Sequence, residues 1–469
     1  MLNLSYNERK MEDITLNNKN MHLKLRITRF NKSSRFRYLL TLINILILAF
    51  MITGCNKSLY ETKDLKGNSL QNTINNINGD DNITTESNSP GSDSDKTESD
   101  TIDEPLASKK TTNQTSLESA NSIDVLIDSM TLKQKIAQLF IVDFYGMTDE
   151  YQIKDYTSTI NSFLKNYQVG GVIYFAENIE SREQLISMNS SFQKDLAIPL
   201  FISIDEEGGL VSRLGNADIG VTHLPDASEL GTKTSEEITQ LAYDLGLEIK
   251  ALGFNMDFAP VLDVNTNPDN PVIGNRSFGS DPKVVGQIGS AFADGLSQAG
   301  VISSGKHFPG HGDTATDSHL GITIINHDLD RLNSIELKPF KEAIKNDIPS
   351  IMMGHISAPE ITGDNVPASL SPYMITELLR KDLGYEGLVL SDSLRMQAIT
   401  DYYTPEEVGV MLLKAGGDLI LIPDDFELTY NAILTAVKNG DISVSRINES
   451  LKRILQAKVE FGILVFEVE

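Results

Sequence analysis

The 469-residue chain is acidic, with 40 Lys/Arg against 65 Asp/Glu and a formal net charge of −25. Residues 1–54 nevertheless contain nine basic side chains against three acidic ones, and the remaining chain contains 31 against 62. A body of this charge repels nucleic-acid phosphates and anionic lipid surfaces, which argues against both as its ligands and favours a neutral or locally steered one.

The N-terminal region has the pattern of an export signal. A basic segment precedes the apolar run YLLTLINILILAFMITGC at 38–55, which is typical of a signal peptide and short for a transmembrane helix. The tetrapeptide ITGC at 52–55 resembles a bacterial lipobox, in which the cysteine becomes N-terminal and lipidated after cleavage. We therefore expect a signal peptide over 1–54 and a lipid anchor on Cys55, on the extracytoplasmic face of a bacterial cell membrane. An uncleaved signal anchor with an incidental cysteine is the alternative.

Residues 55–121 form a segment of different composition. It is rich in Asn, Ser, Thr, Asp and Gly, as in NNINGDDNITTESNSPGSDSDKTESD. So few apolar side chains cannot offset the entropy of ordering the chain, and the segment is predicted to be a disordered tether. Cys55 is the only cysteine, which excludes an internal disulfide.

From Ser122 onwards the sequence predicts an ordered α/β domain. Thr131 is a candidate N-cap for a helix over 130–139, and further helical patterns cover 236–252 and 282–299. Continuous apolar runs alternate with these helices, as in a parallel sheet that is covered on its outer face. The predicted strands are 139–144, 169–175, 199–205, 255–261, 301–306, 350–355, 387–392 and 418–422. Eight such units predict a (β/α)₈ TIM-type barrel over 122–469 as a single catalytic domain; a doubly wound open sheet is the alternative.

Polar side chains occur at the ends of five successive predicted strands. They are Asp205, Asp263, the pair Lys306-His307, His355 and Asp392. Barrel enzymes place their chemistry at the carboxyl ends of the strands, so this repetition predicts a pocket there. His355 either lines the floor of that pocket or has a structural role.

The segment GKHFPGHGDTATDSHLG at 305–321 allows three interpretations. His307 and His311 are spaced like metal ligands on a helix, but the proline and glycines between and after them preclude a helix, so no metal is expected. The segment lacks the glycine order of a phosphate loop, and no cofactor is expected. Of the three functional interpretations, the third fits best: Asp317 holds His319 in a loop, where the imidazole can act as a general acid/base near neutral pH. A loop histidine that is simply capped by its neighbouring aspartate is the alternative. His311 is expected to brace its own loop, and His327 to be an exposed surface residue.

Five motifs in one order extend this interpretation. They are IDEEGG at 204–209, NRSFG at 275–279, KHFPGHG at 306–312, DSH at 317–319 and SDSLRM at 391–396. Together they resemble glycoside hydrolase family 3, in particular its β-N-acetylglucosaminidase branch, over about 122–465. The resemblance implies that Asp392 is the nucleophile and that His319 is the general acid/base, with Asp317 as its partner. It also implies substrate-binding roles for Asp205, Arg213, Arg276, Lys306 and His307.

The chain departs from the family pattern at two positions. The family commonly reads DQEGG followed by Arg, whereas this chain has Glu206 and Leu210 at the variable positions. We expect these changes to add negative charge beside Asp205 and to remove one cation nearby, which affects the subsite chiefly beyond the first sugar and not the reaction. The sequence ends near Val468, which leaves no room for the second α/β domain of many members, so the barrel itself is expected to supply the proton donor.

The resemblance implies a retaining, exo-acting enzyme. The expected reaction is hydrolysis of terminal β-linked N-acetylglucosamine (GlcNAc) from peptidoglycan fragments or chito-oligosaccharides, through a glycosyl-Asp392 intermediate. The chain contains no Trp, which favours a small pocket over an extended polysaccharide groove. We expect a monomer. Two alternatives remain: a phosphorylase that uses the same residues, and a non-catalytic glycan-binding lipoprotein.

Overall fold

The computed structural model describes residues 14–18, 21–25, 122–194, 196–316, 321 and 323–466. The predicted lipidation site Cys55, the predicted tether, and Asp317 and His319 lie outside the described residues, as does most of the predicted signal peptide. Within residues 1–54, Ile14–Asn18 pairs with Met21–Leu25 as an antiparallel hairpin.

Eight parallel strands form the centre of the fold. They are β1 (Phe140–Val142), β2 (Gly171–Ile173), β3 (Phe201–Ile204), β4 (Met256–Asp257), β5 (Ile302–Phe308), β6 (Ser350–Met353), β7 (Leu388–Ser391) and β8 (Ile420–Leu421). The hydrogen-bonded order is β7-β6-β5-β4-β3-β2-β1-β8. A parallel bridge between Leu390 and Leu419 joins the two end strands, so the sheet closes into a (β/α)₈ barrel. All eight predicted strands are confirmed.

Every residue of the eight strands is buried. Burial on both faces explains why the strands read as continuous apolar runs rather than as alternating ones. The boundaries differ from the prediction at β4, which is only two residues long. Beyond it, contact with β5 continues as single hydrogen bonds, from the Ser304 N–H to the Ala259 carbonyl and from the Lys306 N–H to the Pro260 carbonyl. Strand β5 is longer than predicted and extends to Phe308.

Helices cover the outside of the barrel. The described helices are 122–129, Leu132–Ala137, Phe144–Thr148, Ser158–Tyr167, Arg182–Gln193, Ala227–Leu230, Ser235–Ala251, Pro282–Ala299, Leu329–Ser334, Leu337–Lys345, Pro359–Thr362, Gln397–Thr400, Pro405–Ala415, Phe426–Asn439 and Val444–Glu460, with a π-helix at Tyr373–Asp382. Within the described residues, none of them combines the length and the apolar character needed to cross a bilayer.

Local capping signals set the helix boundaries. Helix Pro282–Ala299 begins where the Asp281 side chain accepts a hydrogen bond from the Lys283 N–H, and it ends at Gly300 in the left-handed conformation. Its bounds agree with the prediction. Thr131 caps a helix as predicted, but that helix is Leu132–Ala137 and stops short of the expected end because β1 follows at once.

Three-residue and two-residue strands outside the barrel shape the loops at its carboxyl end. Glu206–Gly208 pairs with Val211–Ser212 as an antiparallel hairpin directly after β3. Thr323–Ile324 pairs in parallel with Ile356–Ser357, which follows β6. These short ladders fix the loops that surround the site.

Candidate active site

A cavity of about 520 Å³ opens at the carboxyl end of the barrel. Its lining comes from segments that follow seven of the eight strands, together with residues of the strands themselves. The lining residues are Asp143, Tyr151, Ile173, Phe175, Glu177, Asp205, Glu207, Val211, Arg213, Phe258, Val272, Arg276, Lys306, His307, His311, Met352, Asp392, Ser393, Arg395, Met396, Gln397, Leu421 and Ile422. Asp392 and all five predicted substrate-binding residues are among them.

Two carboxylates and two cations form a buried network on one wall of the cavity. The Lys306 Nζ lies 2.8 Å from the Asp205 Oδ1 and 2.6 Å from the Glu207 Oε1. Arg276 donates from Nε and Nη2 to the two oxygens of Glu207, each over 2.8 Å. Such a bidentate pair fixes the guanidinium plane. The network therefore presents charged groups at defined positions before any ligand arrives.

The network keeps Glu207 and Lys306 ionised. Burial alone would raise the pKa of Glu207, but the Arg276 and Lys306 charges hold the pKa of that carboxyl well below its ordinary value. Burial would likewise lower the pKa of Lys306, but the charges of Asp205 and Glu207 raise the pKa above its ordinary value. Each charge is thus stabilised by opposite charges in contact with it, as is required for ions away from water.

Arg213 reaches the cavity from the hairpin that follows β3. Its backbone N–H donates to the Asp205 carbonyl over 3.3 Å, and its Nη2 lies 3.8 Å from the Asp205 Oδ2. The guanidinium lies 5.8 Å from the centroid of the Phe175 ring. The Asp205 side chain is 15% exposed, so its carboxylate faces the cavity between two cations.

The two departures from the family pattern lie outside the cavity lining. Glu206 points away from the cavity and is buried, where its carboxylate accepts hydrogen bonds from the Ser212 hydroxyl and from the N–H groups of Leu214 and Gly215. Burial raises the pKa of Glu206. Leu210 lies at the tip of the hairpin and is 80% exposed. The carboxyl group that this chain adds at Glu206 is therefore adjacent to Asp205 in sequence but lies outside the cavity lining.

His307 is held by a buried aspartate. Its Nδ1 lies 2.7 Å from the Asp263 Oδ2, and the Asp263 Oδ1 accepts the backbone N–H groups of His307 and His311. The ring nitrogen that remains for a ligand is Nε2. His311 braces its own loop as expected, through a 2.6 Å contact between its Nδ1 and the Thr314 Oγ1. Burial, followed by the neighbouring His307, lowers the pKa of His311 to about 4.

Asp392 follows the last residue of β7. Its backbone N–H donates to the Met353 carbonyl over 2.9 Å, and its Oδ1 accepts the Ser393 N–H over 2.7 Å. The carboxylate is thereby directed into the cavity at the end of a rigid strand. His355 does not line the cavity: it is buried and contacts the Ser369 hydroxyl and the Ser393 carbonyl, so it supports the turn after Asp392.

Asp317 and His319 lie outside the described residues, but the segments on either side of them are tied together. The Asp313 carboxylate contacts the Thr266 hydroxyl over 2.6 Å and the His327 Nε2 over 2.5 Å. His327 is half-buried in this pair, and the expectation of an exposed surface residue is wrong.

Sequence reasoning missed several residues of the site. Glu207 stands at the Glu position of the DQEGG pattern, and this match to the motif was the signal that could have identified it. Asp143 and Arg395 form an ion pair at the cavity rim across 252 residues of sequence, so no local pattern could signal it. Within the parts of the chain that the structure describes, no cluster of three or more His, Cys, Asp or Glu side chains could hold a metal ion.

Comparison with known proteins gives the family of the ordered region. A family model described as the glycosyl hydrolase family 3 N-terminal domain matches residues 131–457. The chain is 36% identical over 339 residues to β-hexosaminidase LpqI of Mycobacterium tuberculosis, covering 70% of this chain and 82% of that protein. It is 36% identical over 335 residues to β-hexosaminidase A of Pseudoalteromonas piscicida, and the match covers 64% of this chain. The chain spans only about half, 55%, of the length of that protein.

A solved structure shows the same relationship. A glycoside hydrolase family 3 β-N-acetylglucosaminidase from Paenibacillus sp. str. FPU-7 superposes with a TM-score of 0.68 at 38% sequence identity, covering 73% of this chain and 65% of that one. The matched region includes the whole barrel and the cavity at its carboxyl end. The chain therefore belongs to glycosyl hydrolase family 3.

Proposed function

We propose that the protein is an exo-acting, retaining β-N-acetylglucosaminidase. The main support is the position of Asp392: its carboxylate lines the same cavity as the Asp205, Lys306 and Arg276 network, at the carboxyl end of the barrel. Relatives named β-hexosaminidase and a structure named β-N-acetylglucosaminidase support the same activity.

The proposed reaction is a double displacement. The Asp392 carboxylate attacks the anomeric carbon while the bond to the leaving oxygen breaks, and His319 in its imidazolium form gives its proton to that oxygen. The neutral imidazole then takes a proton from water, whose oxygen attacks the anomeric carbon and releases Asp392. Asp317 holds the imidazole and stabilises its charged form. Two inversions at one carbon give net retention.

The buried wall of the cavity holds the terminal sugar in this proposal. The Asp205 carboxylate accepts hydrogen bonds from sugar hydroxyls, while Lys306 and Arg276 donate to other hydroxyls. The Nε2 of His307 donates or accepts according to its tautomer. Because these groups are already fixed by one another, they lose little freedom on binding. In this proposal the cavity takes one chain end, which corresponds to exo action.

We propose terminal β-linked GlcNAc of peptidoglycan fragments or chito-oligosaccharides as the substrate. The signal-like segment and the ITGC motif at 52–55 support a lipid anchor on Cys55 and a position on the extracytoplasmic face of the bacterial membrane. Metabolic labelling with a palmitate analogue tests the anchor, since Cys55→Ala should abolish the label.

Hydrolysis of p-nitrophenyl β-GlcNAc by the purified protein tests the activity. We expect release of p-nitrophenol in the presence of EDTA, with β-GlcNAc as the first product by proton NMR, and none from Asp392→Ala. A parallel series with phosphate should give free GlcNAc at every concentration. GlcNAc-1-phosphate would identify a phosphorylase, and a folded wild-type protein that binds the glycan without cleaving it would contradict the proposal.

A further inference from the structure

The two sides of the cavity differ in chemistry. Loops after β3, β4 and β5 supply the buried ions that are proposed to hold the terminal sugar. The side formed after β7 and β1 instead presents a partly exposed aromatic surface. Tyr151 and Arg395 line that side. Arg395 follows Asp392 by three residues, and Tyr151 lines the same cavity as Asp392.

Tyr151 presents the face of a flat ring at the cavity rim. Its ring stacks on that of Tyr145 with a centroid separation of 4.4 Å and an interplanar angle of 12°. Tyr151 is 48% exposed, whereas Tyr145 is half-buried beneath it. One face of the Tyr151 ring is thus covered by Tyr145 and the ring remains accessible from the cavity.

Arg395 supports the stacked pair. Its guanidinium carbon lies 5.0 Å from the Tyr145 centroid and 6.0 Å from the Tyr151 centroid, within the range of cation–π contact. Both terminal nitrogens donate to the Asp143 carboxylate. Asp143 also accepts the Gly146 N–H over 2.9 Å as the N-cap of the helix that carries Tyr145.

The backbone of Tyr151 is fixed independently of its ring. Its carbonyl accepts a hydrogen bond of 2.7 Å from the Nδ2 of Asn178, a buried side chain. The ring is therefore positioned before any ligand binds, and little ordering entropy remains to be lost on association. Three neighbours thus hold Tyr151 in place: the Tyr145 ring, the Arg395 guanidinium and the Asn178 amide.

We propose that Tyr151 forms a second sugar subsite, on which the pyranose ring of the leaving group stacks. The weakly polar C–H face of a pyranose complements an aromatic face, while Glu177 and Gln397 on the same rim offer hydrogen-bonding groups to its hydroxyls. The substrate class favoured by this subsite is an oligosaccharide rather than a GlcNAc glycoside with a small alkyl aglycone. The inference rests on the proposed function and adds a determinant of aglycone specificity to it.

The test compares two substrates that share the terminal sugar. N,N′-diacetylchitobiose has a pyranose leaving group, whereas trifluoroethyl β-GlcNAc has a small alkyl leaving group that offers no ring for stacking. For Tyr151→Ala, we expect kcat/KM on the disaccharide to fall by about tenfold and kcat/KM on the trifluoroethyl glycoside to change by less than about twofold. Tyr151→Phe should retain most of the activity on both, because the ring face is kept.

Two controls separate the subsite from general damage. The inhibition constant of free GlcNAc reports the terminal-sugar site and should be the same in wild type and Tyr151→Ala. Tyr402→Ala removes another exposed tyrosine, 56% accessible and not part of the cavity lining, and should alter neither substrate. If Tyr151→Ala lost kcat/KM equally on both substrates, or lost none on the disaccharide, the proposal of a second subsite would be overturned. A wild-type protein that hydrolyses neither substrate would instead overturn the proposed function itself.

Discussion

Glu207 is the residue on which the charge balance of the site depends. The Glu207 side chain is 3% exposed and forms ion pairs with both Arg276 and Lys306. Lys306 also pairs with Asp205, the second carboxylate of the network. Removing the charge of Glu207 leaves two buried cations with one carboxylate. A buried cation without its partner is costly, so the effect of such a change reaches both stability and binding.

Glu207→Gln is accordingly expected to lower the free energy of unfolding by about 3–5 kcal/mol, because it breaks a buried ion pair. It should also reduce kcat/KM by about a hundredfold, since Arg276 and Lys306 lose their fixed positions. Urea unfolding and steady-state kinetics measure the two effects. Glu229→Gln, at an exposed position, is the control, and equal behaviour of the two variants would remove Glu207 from the network.

A second prediction at this scale concerns the proposed proton donor. His319→Ala should lose least activity on aryl glycosides with good leaving groups, because those oxygens depart without protonation. On a disaccharide the loss should be larger by about a hundredfold. The ratio of kcat/KM values across aryl glucosaminides of graded leaving-group acidity measures this. A constant loss across the series would contradict an acid role.

At the scale of elements, helix Val444–Glu460 closes the amino-terminal end of the barrel. Its Lys458 is fully buried and donates to the Gln138 side chain and the Gly170 carbonyl, over 3.0 and 2.9 Å. The same ammonium lies 4.7 Å from the Phe201 centroid. These contacts join the helix to the segments that enter β1, β2 and β3, while its arginines pair with Asp418 before β8.

Lys458 predicts a pH dependence of stability. Burial lowers its pKa to about 7 from an ordinary value of 10.5, so the unfolded chain binds the proton more tightly than the folded one. Folding stability should therefore rise as the pH increases from about 7 to about 10. Lys458→Met removes this contribution, and its unfolding free energy should rise less over that interval.

Urea unfolding of both proteins at pH 7, 8, 9 and 10 measures the difference. The unfolding free energy of wild type should rise steadily relative to that of Lys458→Met as the pH increases. Lys452→Met, which changes a half-exposed lysine of the same helix, is the matched control. Parallel curves for wild type and Lys458→Met would mean that the ammonium stays charged, stabilised by its carbonyl, amide and aromatic partners.

At the scale of the whole molecule, strand identity and the location of the site were predictable. The barrel strands are buried on both faces, which leaves uninterrupted apolar runs in the sequence. The polar residues that end five successive runs mark the carboxyl edge. Asp392, Asp205 and Lys306 line one cavity as expected. Strand lengths were less predictable, since β4 ends at Asp257 although the apolar run continues to Val261.

Partnerships between distant residues could not be predicted. The orientation of Glu206 and Glu207 depends on the hairpin after β3, in which one faces the core and the other the cavity. The contact of Arg395 with Asp143 arises only when the barrel closes and brings the segments after β7 and β1 together. Sequence patterns report burial and local turns, whereas these pairs depend on closure of the sheet.

The central claim is that this barrel uses Asp392 as a covalent nucleophile at the carboxyl end of β7. The most direct test is to trap the intermediate with 5-fluoro-GlcNAc β-fluoride, which slows both steps but leaves a good departing group for the first. The account predicts a mass increase of one fluoroglycosyl unit, located by peptide mapping on Asp392 and absent from Asp392→Ala. An adduct on another residue, or turnover of the fluoride with inversion, would contradict it.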